Sequence, residues 1–344
     1  MISGDLLADN GAGPDADADG DALVVTRIGA SVVATGVWID LPSGARVRLT
    51  GPGDFDYDPR DAFDHLALGA SALDGFAYTV EDGRGGSDEG QATVTVSGLN
   101  DAPIAADDHA TLSEDGSASG DVLTGAGADT DVDDAAVLRV TSVNGSELAV
   151  GMSVTTARGG LLTLNSDGSW SFGTNGAFDH LRAGQSTTET IAYTVADEHG
   201  AADAASLRLT ITGVNDAPQA ADDAFSVDEG QSLTASVFAD NGAGEDLDPD
   251  SGDGFSVVRV NGAPASVGAT ITLASGAQLT LGSDGTFTYD AAGAFDHLAD
   301  GESAEDGFTY AIGDGEATDE ASVVVTVNGV GDALEVREGS LEVV

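Results

Sequence analysis

Along this chain the apolar residues fall in short alternating runs, and no segment keeps a sustained helical period. Leu279-Thr280-Leu281, a turn at Ser283-Asp284-Gly285 and then Phe287-Thr288-Tyr289 form an alternating pattern that folds back on itself. Alternation with a period of two puts every second side chain on one face, and Asp-Gly suits a tight hairpin turn. The pattern therefore predicts a β-hairpin here and another from Leu162 to Phe172, turning at Asp167-Gly168. Phe76-Ala77-Tyr78, Ile191-Ala192-Tyr193 and Phe308-Thr309-Tyr310 each open a further strand, and Ser322 to Val327 reads as a last one. Trp170 aligns with Phe287, which places it in the core.

These elements recur. Asn100-Asp101-Ala102-Pro103 returns as Asn215-Asp216-Ala217-Pro218, and weakly as Gly331-Asp332-Ala333-Leu334. Phe63-Asp64-His65-Leu66 returns as Phe178-Asp179-His180-Leu181 and as Phe295-Asp296-His297-Leu298. Both markers have a period of about 115 residues, and self-similarity at a fixed period marks a tandem array. Several short strands with Gly, Asn and Asp turns in each period predict an all-β chain of immunoglobulin-like β-sandwiches. The expected divisions are 1–103, whose first strand is missing, 104–218 and 219–334, with 335–344 an orphan strand or the start of a further repeat. Ile2-Ser3-Gly4-Asp5-Leu6-Leu7 aligns with Ala118-Ser119-Gly120-Asp121-Val122-Leu123, just after a first strand should have ended. Val336-Arg337-Glu338-Gly339-Ser340-Leu341 resembles Val227-Asp228-Glu229-Gly230-Gln231-Ser232-Leu233, a first strand with no domain behind it. Two readings follow: a chain cut without regard to domain boundaries, or donation of the last strand of one molecule to the open edge of the next. A donated strand makes a heterologous contact, which grows into a filament.

The charge changes the picture. Sixty acidic residues against eleven basic ones, all arginine, give a formal charge of −49. Such a polyanion repels nucleic acid and anionic membranes, so neither is an expected partner. Self-repulsion of this size must be relieved by metal ions, by high salt or by both, and calcium is the usual cation of clustered carboxylates. No cysteine is present, which removes disulfides and thiolate chemistry. There is no signal peptide and no apolar stretch long enough to span a bilayer.

Val214-Asn215-Asp216-Ala217-Pro218 followed by Ala221-Asp222-Asp223 resembles the bacterial cadherin-like repeats known as VCBS or tandem-95 repeats, found in large secreted adhesins. The resemblance implies cadherin-like sandwiches in an extracellular or cell-surface array, calcium binding, and a role in adhesion or a biofilm matrix. A more distant likeness to cadherins implies a set of ligands between successive domains. The acidic linker corresponds to Asn100, Asp101, Asn215 and Asp216. The Asp-x-Asp loop corresponds to Asp129 and Asp131, with Asp133 following, and to Asp246 and Asp248. A third stretch corresponds to Asp197 and Asp314, with Asp82 in the first repeat. A first-strand glutamate corresponds to Glu114 and Glu229, and the Phe-Asp-His-Leu segment contributes Asp179 while lacking the cadherin glutamate.

Asp15-x-Asp17-x-Asp19-Gly20 has the first half of an EF-hand loop, but its twelfth position is Thr26 and a strand follows, so it is not one. It is either a solvated acidic turn or, since it aligns with the Asp129 and Asp246 loops, a further calcium candidate. Alternation puts Asp54, Asp56 and Asp58 on the outer face of a strand. His65, His180 and His297 recur without a serine or thiol partner, which points to packing at a turn. No pair of carboxylates shows the asymmetry of a general acid and base. The expectation is a non-catalytic, calcium-stiffened spacer or fibre whose partners are neighbouring repeats of the same or an identical chain. The alternative is a module that binds a cell-surface glycan or protein. Trp38 aligns with Ser153 and Thr270 and should face outward, where it would either contact such a ligand or pack on a neighbouring loop.

Overall fold

A computed structural model describes residues 1–125 and 127–331. The expected strand at 335–344 and residues 332–334 of the weak third linker lie outside the described residues. The first set of strands is β1 (Ile2–Asp5), β2 (Val24–Ile28), β3 (Ser31–Val32), β4 (Ile39–Asp40), β5 (Arg46–Leu49), β6 (Asp54–Asp58), β7 (Ser71–Glu81) and β8 (Ser87–Ser97). The second is β9 (Asp108–Ser113), β10 (Ser117–Asp121), β11 (Arg139–Val143), β12 (Ser153–Thr155), β13 (Leu161–Leu164), β14 (Ser169–Gly173), β15 (Ser186–Ala196) and β16 (Ala202–Thr212). The third is β17 (Asp223–Asp228), β18 (Ser232–Ser236), β19 (Ser256–Val260), β20 (Thr270–Thr272), β21 (Gln278–Leu281), β22 (Thr286–Asp290), β23 (Ser303–Gly313) and β24 (Thr318–Asn328).

Each set makes two four-stranded sheets. In the second repeat these run β10-β14-β13-β12 and β11-β15-β16-β9, and the third repeats the order as β18-β22-β21-β20 and β19-β23-β24-β17. The first repeat has β1-β6-β5-β4 and β3-β2-β7-β8. The chain is all-β, with immunoglobulin-like domains in tandem, as the alternation required. Leu162, Leu164 and Phe172 point inward together with Ile191, Tyr193, Leu207 and Leu209, all almost fully buried, so the inner faces of the two sheets share one core. Trp170 is buried at the place of Phe287.

First strands are held by the paired aspartates at which they begin. Asp222 accepts the Ser322 N–H and hydroxyl, each at 2.8 Å, and Asp107 does the same for Ser206. Tyr193 then donates its hydroxyl to Asp108 Oδ2 at 2.8 Å. These contacts fix the parallel pairing of β9 with β16 and of β17 with β24. Many of the acids therefore have structural partners. Tyr57 donates to Asp74 at 2.7 Å and Tyr289 to Asp306 at 2.8 Å, which supplies the polar end of each buried ring with an acceptor.

Candidate metal centre

Between the second and third repeats, the linker is shaped by its own asparagine. Asn215 Nδ2 donates to the Asp216 carbonyl at 3.0 Å and to Asp314 Oδ2 at 2.9 Å. Asp314 is fixed in turn, because its Oδ1 accepts the N–H groups of Glu316 and Ala317. The first junction copies this: Asn100 Nδ2 donates to the Asp101 carbonyl at 2.8 Å and to Asp197 Oδ2 at 2.7 Å. Asp197 Oδ1 accepts three backbone N–H groups, from His199, Gly200 and Ala201. Desolvation opposes these bonds, but they prevail and hold both carboxyls below their ordinary range.

The acidic loops meet the linkers at their third aspartate, which the second one holds in place. Asp248 Oδ1 accepts the Asp250 N–H and Asp250 Oδ2 accepts the Asp216 N–H, both at 3.0 Å. At the first junction Asp131 accepts from Asp133 at 2.9 Å, and Asp133 accepts from Asp101 at 3.0 Å. Glu114, at the end of β9, reaches the same place from the preceding repeat, and its Oε1 accepts the Val214 N–H at 2.7 Å. Glu229 makes the same bond to Val330. The recurrent Phe-Asp-His-Leu segment closes each junction through its backbone: the His65 carbonyl accepts the Asp134 N–H at 2.8 Å, and the His180 carbonyl accepts from Ser251 at 3.1 Å. The rings of His65 and His297 stack on Phe63 and Phe295, a packing role at a turn.

One oxygen of each key carboxylate is then left over. Among the described residues, Glu114 Oε2, Asp216 Oδ2, Asp248 Oδ2 and Asp250 Oδ1 are buried with no hydrogen-bond partner, as are Asp131 Oδ2 and Asp133 Oδ1 at the first junction and Glu229 Oε2. Glu114, Asp216 and Asp250 bring ligand atoms within 4.8 Å of one another. Desolvation raises the pKa of Glu114, Asp216 and Asp248, and neighbouring acids push the same way; Asp115, Asp250 and Asp179 act on Asp216. Buried carboxylate oxygens that converge without a donor or a basic side chain fit a hard, oxygen-seeking divalent cation, and calcium above all.

Two of the sequence candidates turn away from the junction. Asp129 Oδ1 accepts the Ala106 N–H and Asp246 Oδ1 the Ala221 N–H, each at 2.7 Å, inside their own domains. Burial pushes the Asp129 carboxyl up to about 6. In the first repeat, Asp15 takes the equivalent place and accepts the Tyr78 hydroxyl at 2.9 Å. Asp15, Asp17 and Asp82 line one cavity of about 200 Å³, while Asp19 is exposed and donates its N–H to Asp17 Oδ1. Asp179 is half-buried and acts on Asp216 through its charge. Sequence reasoning did not single out Asp250, although its place as the third aspartate of the Asp246-x-Asp248-x-Asp250 run matches that of Asp133. It also missed Asp115, directly after Glu114.

Trp38 is half-buried rather than free. The guanidinium carbons of Arg46 and Arg48 lie 4.4 and 4.6 Å from its ring centroid, and those arginines pair with Asp58 and Asp56 on β6. The aspartates thus form the outer face of that strand, beside buried Phe55 and Tyr57.

Comparison with known proteins adds the following. The model of the bacterial cadherin-like domain matches residues 100–213 and 215–329, and that of a bacterial Ig domain matches 2–96. The calcium-binding lectin RapA2 of Rhizobium johnstonii is 31% identical over 158 residues, 44% of this chain and 64% of the lectin. The match thus spans less than two thirds of that relative's length. Among solved structures, mouse cadherin-23 EC22–24 has a TM-score of 0.48 at 13% identity, over 93% of this chain and 89% of that one. Protocadherin gamma B2 domains 1–5 have a TM-score of 0.45 at 18% identity, over 84% of this chain and 51% of that one.

Proposed function

We propose that this chain, which belongs to the bacterial cadherin-like domain family, is a calcium-stiffened, non-catalytic segment of an extracellular adhesin or matrix fibre of the VCBS-like kind. The observation that carries this reading is the convergence at the seam between two domains of Glu114, Asp216 and Asp250, each with a buried oxygen that has no hydrogen-bond partner among the described residues, as has Asp248 beside them in sequence. A bound calcium ion would supply the positive charge that these oxygens lack.

The chain's own residues do the rest. Glu114 belongs to the preceding repeat, Asp216 to the linker and Asp250 to the following repeat, so one ion held by these three would tie three segments together. Asn215 holds the linker's course, and the His180 carbonyl sets the separation of the two domains. At the first junction Asp101, Asp131 and Asp133 are the candidate ligands, without a counterpart of Glu114 among the described residues. Growth of the array by head-to-tail strand donation between identical chains is part of this reading.

The test is calcium titration into chelator-stripped protein. Melting temperature and the length derived from small-angle scattering should both rise. An ion that binds only the native state adds about 2.7 kcal/mol at a hundredfold excess over its dissociation constant. Sodium chloride should not substitute; if it does, the acidity is a general salt adaptation. A second reading, glycan or protein binding through the first repeat, draws on the lectin relative and on Trp38 stacked over two arginines. A glycan array with and without Trp38→Ala separates the two readings.

A further inference from the structure

Within the second and third repeats, a tyrosine hydroxyl sits among more oxygens than it can serve. In the third, the Tyr310 hydroxyl lies 3.0 and 2.9 Å from the two oxygens of Asp246 and 3.2 Å from Asp223 Oδ2. The Ala221 and Val237 carbonyls stand 3.0 and 3.3 Å from it. A hydroxyl carries one hydrogen, so it can donate to one of these acceptors at a time. The Ala221 N–H adds a single further donor, to Asp246 Oδ1 at 2.7 Å. Asp223 is 3% exposed, and its Oδ1 is buried with no hydrogen-bond partner among the described residues. The cage is rich in oxygen and poor in hydrogen.

The second repeat builds the same cage. The Tyr193 hydroxyl lies 2.8 Å from Asp108 Oδ2 and 2.9 Å from the Ala106 carbonyl. Asp129 matches Asp246 in accepting the neighbouring N–H, from Ala106, and keeps Oδ2 buried and partnerless among the described residues. Asp108 and Asp223 are the first residues of β9 and β17, so both cages stand where a first strand begins. Among the described residues no arginine pairs with any of these four carboxylates.

We propose that the second and third repeats each hold a calcium ion inside their own fold, one at Asp108, Asp129 and Tyr193 and one at Asp223, Asp246 and Tyr310. These sites are distinct from the seam between domains and do not depend on it. Two buried carboxylates side by side need a proton or a cation. A shared proton would leave one negative charge and most of the acceptors unserved, whereas a divalent ion balances both carboxylates. Calcium also accepts carboxylate and carbonyl oxygens together in a flexible shell, at about 2.3–2.6 Å. Ligands held at that distance lie about 3 Å from one another, which is the spacing found around Tyr310. Asp223 opens β17, Asp246 lies on the acidic loop and Tyr310 on β23, so an ion here pins the first strand and the loop to the large sheet. The same loop presents Asp250 to the linker, and the internal ion steadies it.

The experiment counts calcium bound per chain by equilibrium dialysis, for the full chain and for its Asp108→Asn and Asp223→Asn variants. Each substitution keeps the shape of the side chain and lies outside the junction ligands. Each should lower the count by about one ion, while calcium still lengthens the molecule in scattering. Terbium, which replaces calcium and emits when a tyrosine beside it is excited, gives a second readout. Tyr310→Phe should cut that emission. Tyr289→Phe should not, because the Tyr289 hydroxyl meets the single carboxylate of Asp306. An ion count that both asparagine variants leave unchanged overturns the inference, and so does emission that Tyr310→Phe leaves intact. If Asp223→Asn raises the melting temperature equally in chelator and in calcium, the pair shares a proton and the inference is wrong. The junction ions fail by a different mark, a scattering length that calcium does not change, so either idea can fail without the other.

Discussion

Replacing Asp250 by asparagine should stabilise the metal-free protein and weaken the calcium-bound one. Asp250 is 1% exposed, and its Oδ2 accepts the Asp216 N–H at 3.0 Å, a bond that an asparagine oxygen can keep. What the substitution removes is a charge. Glu114, Asp216 and Asp250 lie within 4.8 Å of one another. At that separation each ionised pair repels by about 1 kcal/mol in a water-like medium and about 3.5 kcal/mol at an effective dielectric constant of about 20. Asparagine cancels two of the three pairs, so full ionisation would give a relief of about 2–7 kcal/mol. Burial and neighbouring acids already raise the Glu114 and Asp216 carboxyls, which takes up much of this and leaves about 1–2 kcal/mol and a melting temperature several degrees higher in chelator. With calcium the sign reverses. Loss of one charged ligand should weaken binding about a hundredfold, or about 2.7 kcal/mol at saturating ion. Calorimetric melting in chelator and in calcium, with calcium binding measured by titration, reads both arms. If the variant melts lower by the same amount in both media, Asp250 is only a structural acceptor for the linker and the reasoning is wrong.

Four further outcomes are expected. Asp131→Ala and Asp248→Ala should each loosen one junction, widening the distribution of interdomain angles in scattering while circular dichroism stays all-β; a collapsed β signal would show that these residues hold the cores. In chelator, melting should fall as pH rises from about 4 to beyond 6, because burial places the Asp129 and Asp223 carboxyls at about 6 against an ordinary 3.8. A raised folded-state pKa gives stability that is full below the unfolded value and lost as pH climbs through the folded one, so a rise over that window would refute the assignment. Arg182→Ala removes the bonds to the Ser251 carbonyl at 2.7 Å and to Asp253 at 3.0 Å; being half-exposed, it should cost about 0–1 kcal/mol and loosen the second junction alone, as fluorescence distance measurements across each junction would show. Tyr193→Phe strips hydrogen bonds from Asp108 and the Ala106 carbonyl and should cost about 1–3 kcal/mol in urea unfolding; an unchanged midpoint would mean that β9 is held by its backbone pairing alone.

The sequence by itself determined the strands, their period and the character of the domains. Hairpins such as Leu279 to Tyr289 are local: alternation decides which side chains face inward, and Asp284-Gly285 turns the chain whatever surrounds it. The linker motifs were legible for a similar reason, because Asn215 bonds to the carbonyl of the very next residue. Which carboxylates converge was decided only in three dimensions. In the run Asp246-x-Asp248-x-Asp250 the spacing treats all three alike, yet Asp246 turns inward to the Tyr310 hydroxyl while Asp250 faces the seam and Asp248 accepts the Asp250 N–H. That sorting depends on Tyr310, more than sixty residues away, and on Ser251 docking against the His180 carbonyl of another domain. Trp38 teaches the same lesson. Alternation placed it outward, but Arg46 and Arg48, brought beside it by the pairing of β4 with β5, gave it cations to cover. Local pattern fixes what each strand must bury. The partners of a charged or aromatic side chain at a surface come from distant segments, and only the packed fold brings them within reach.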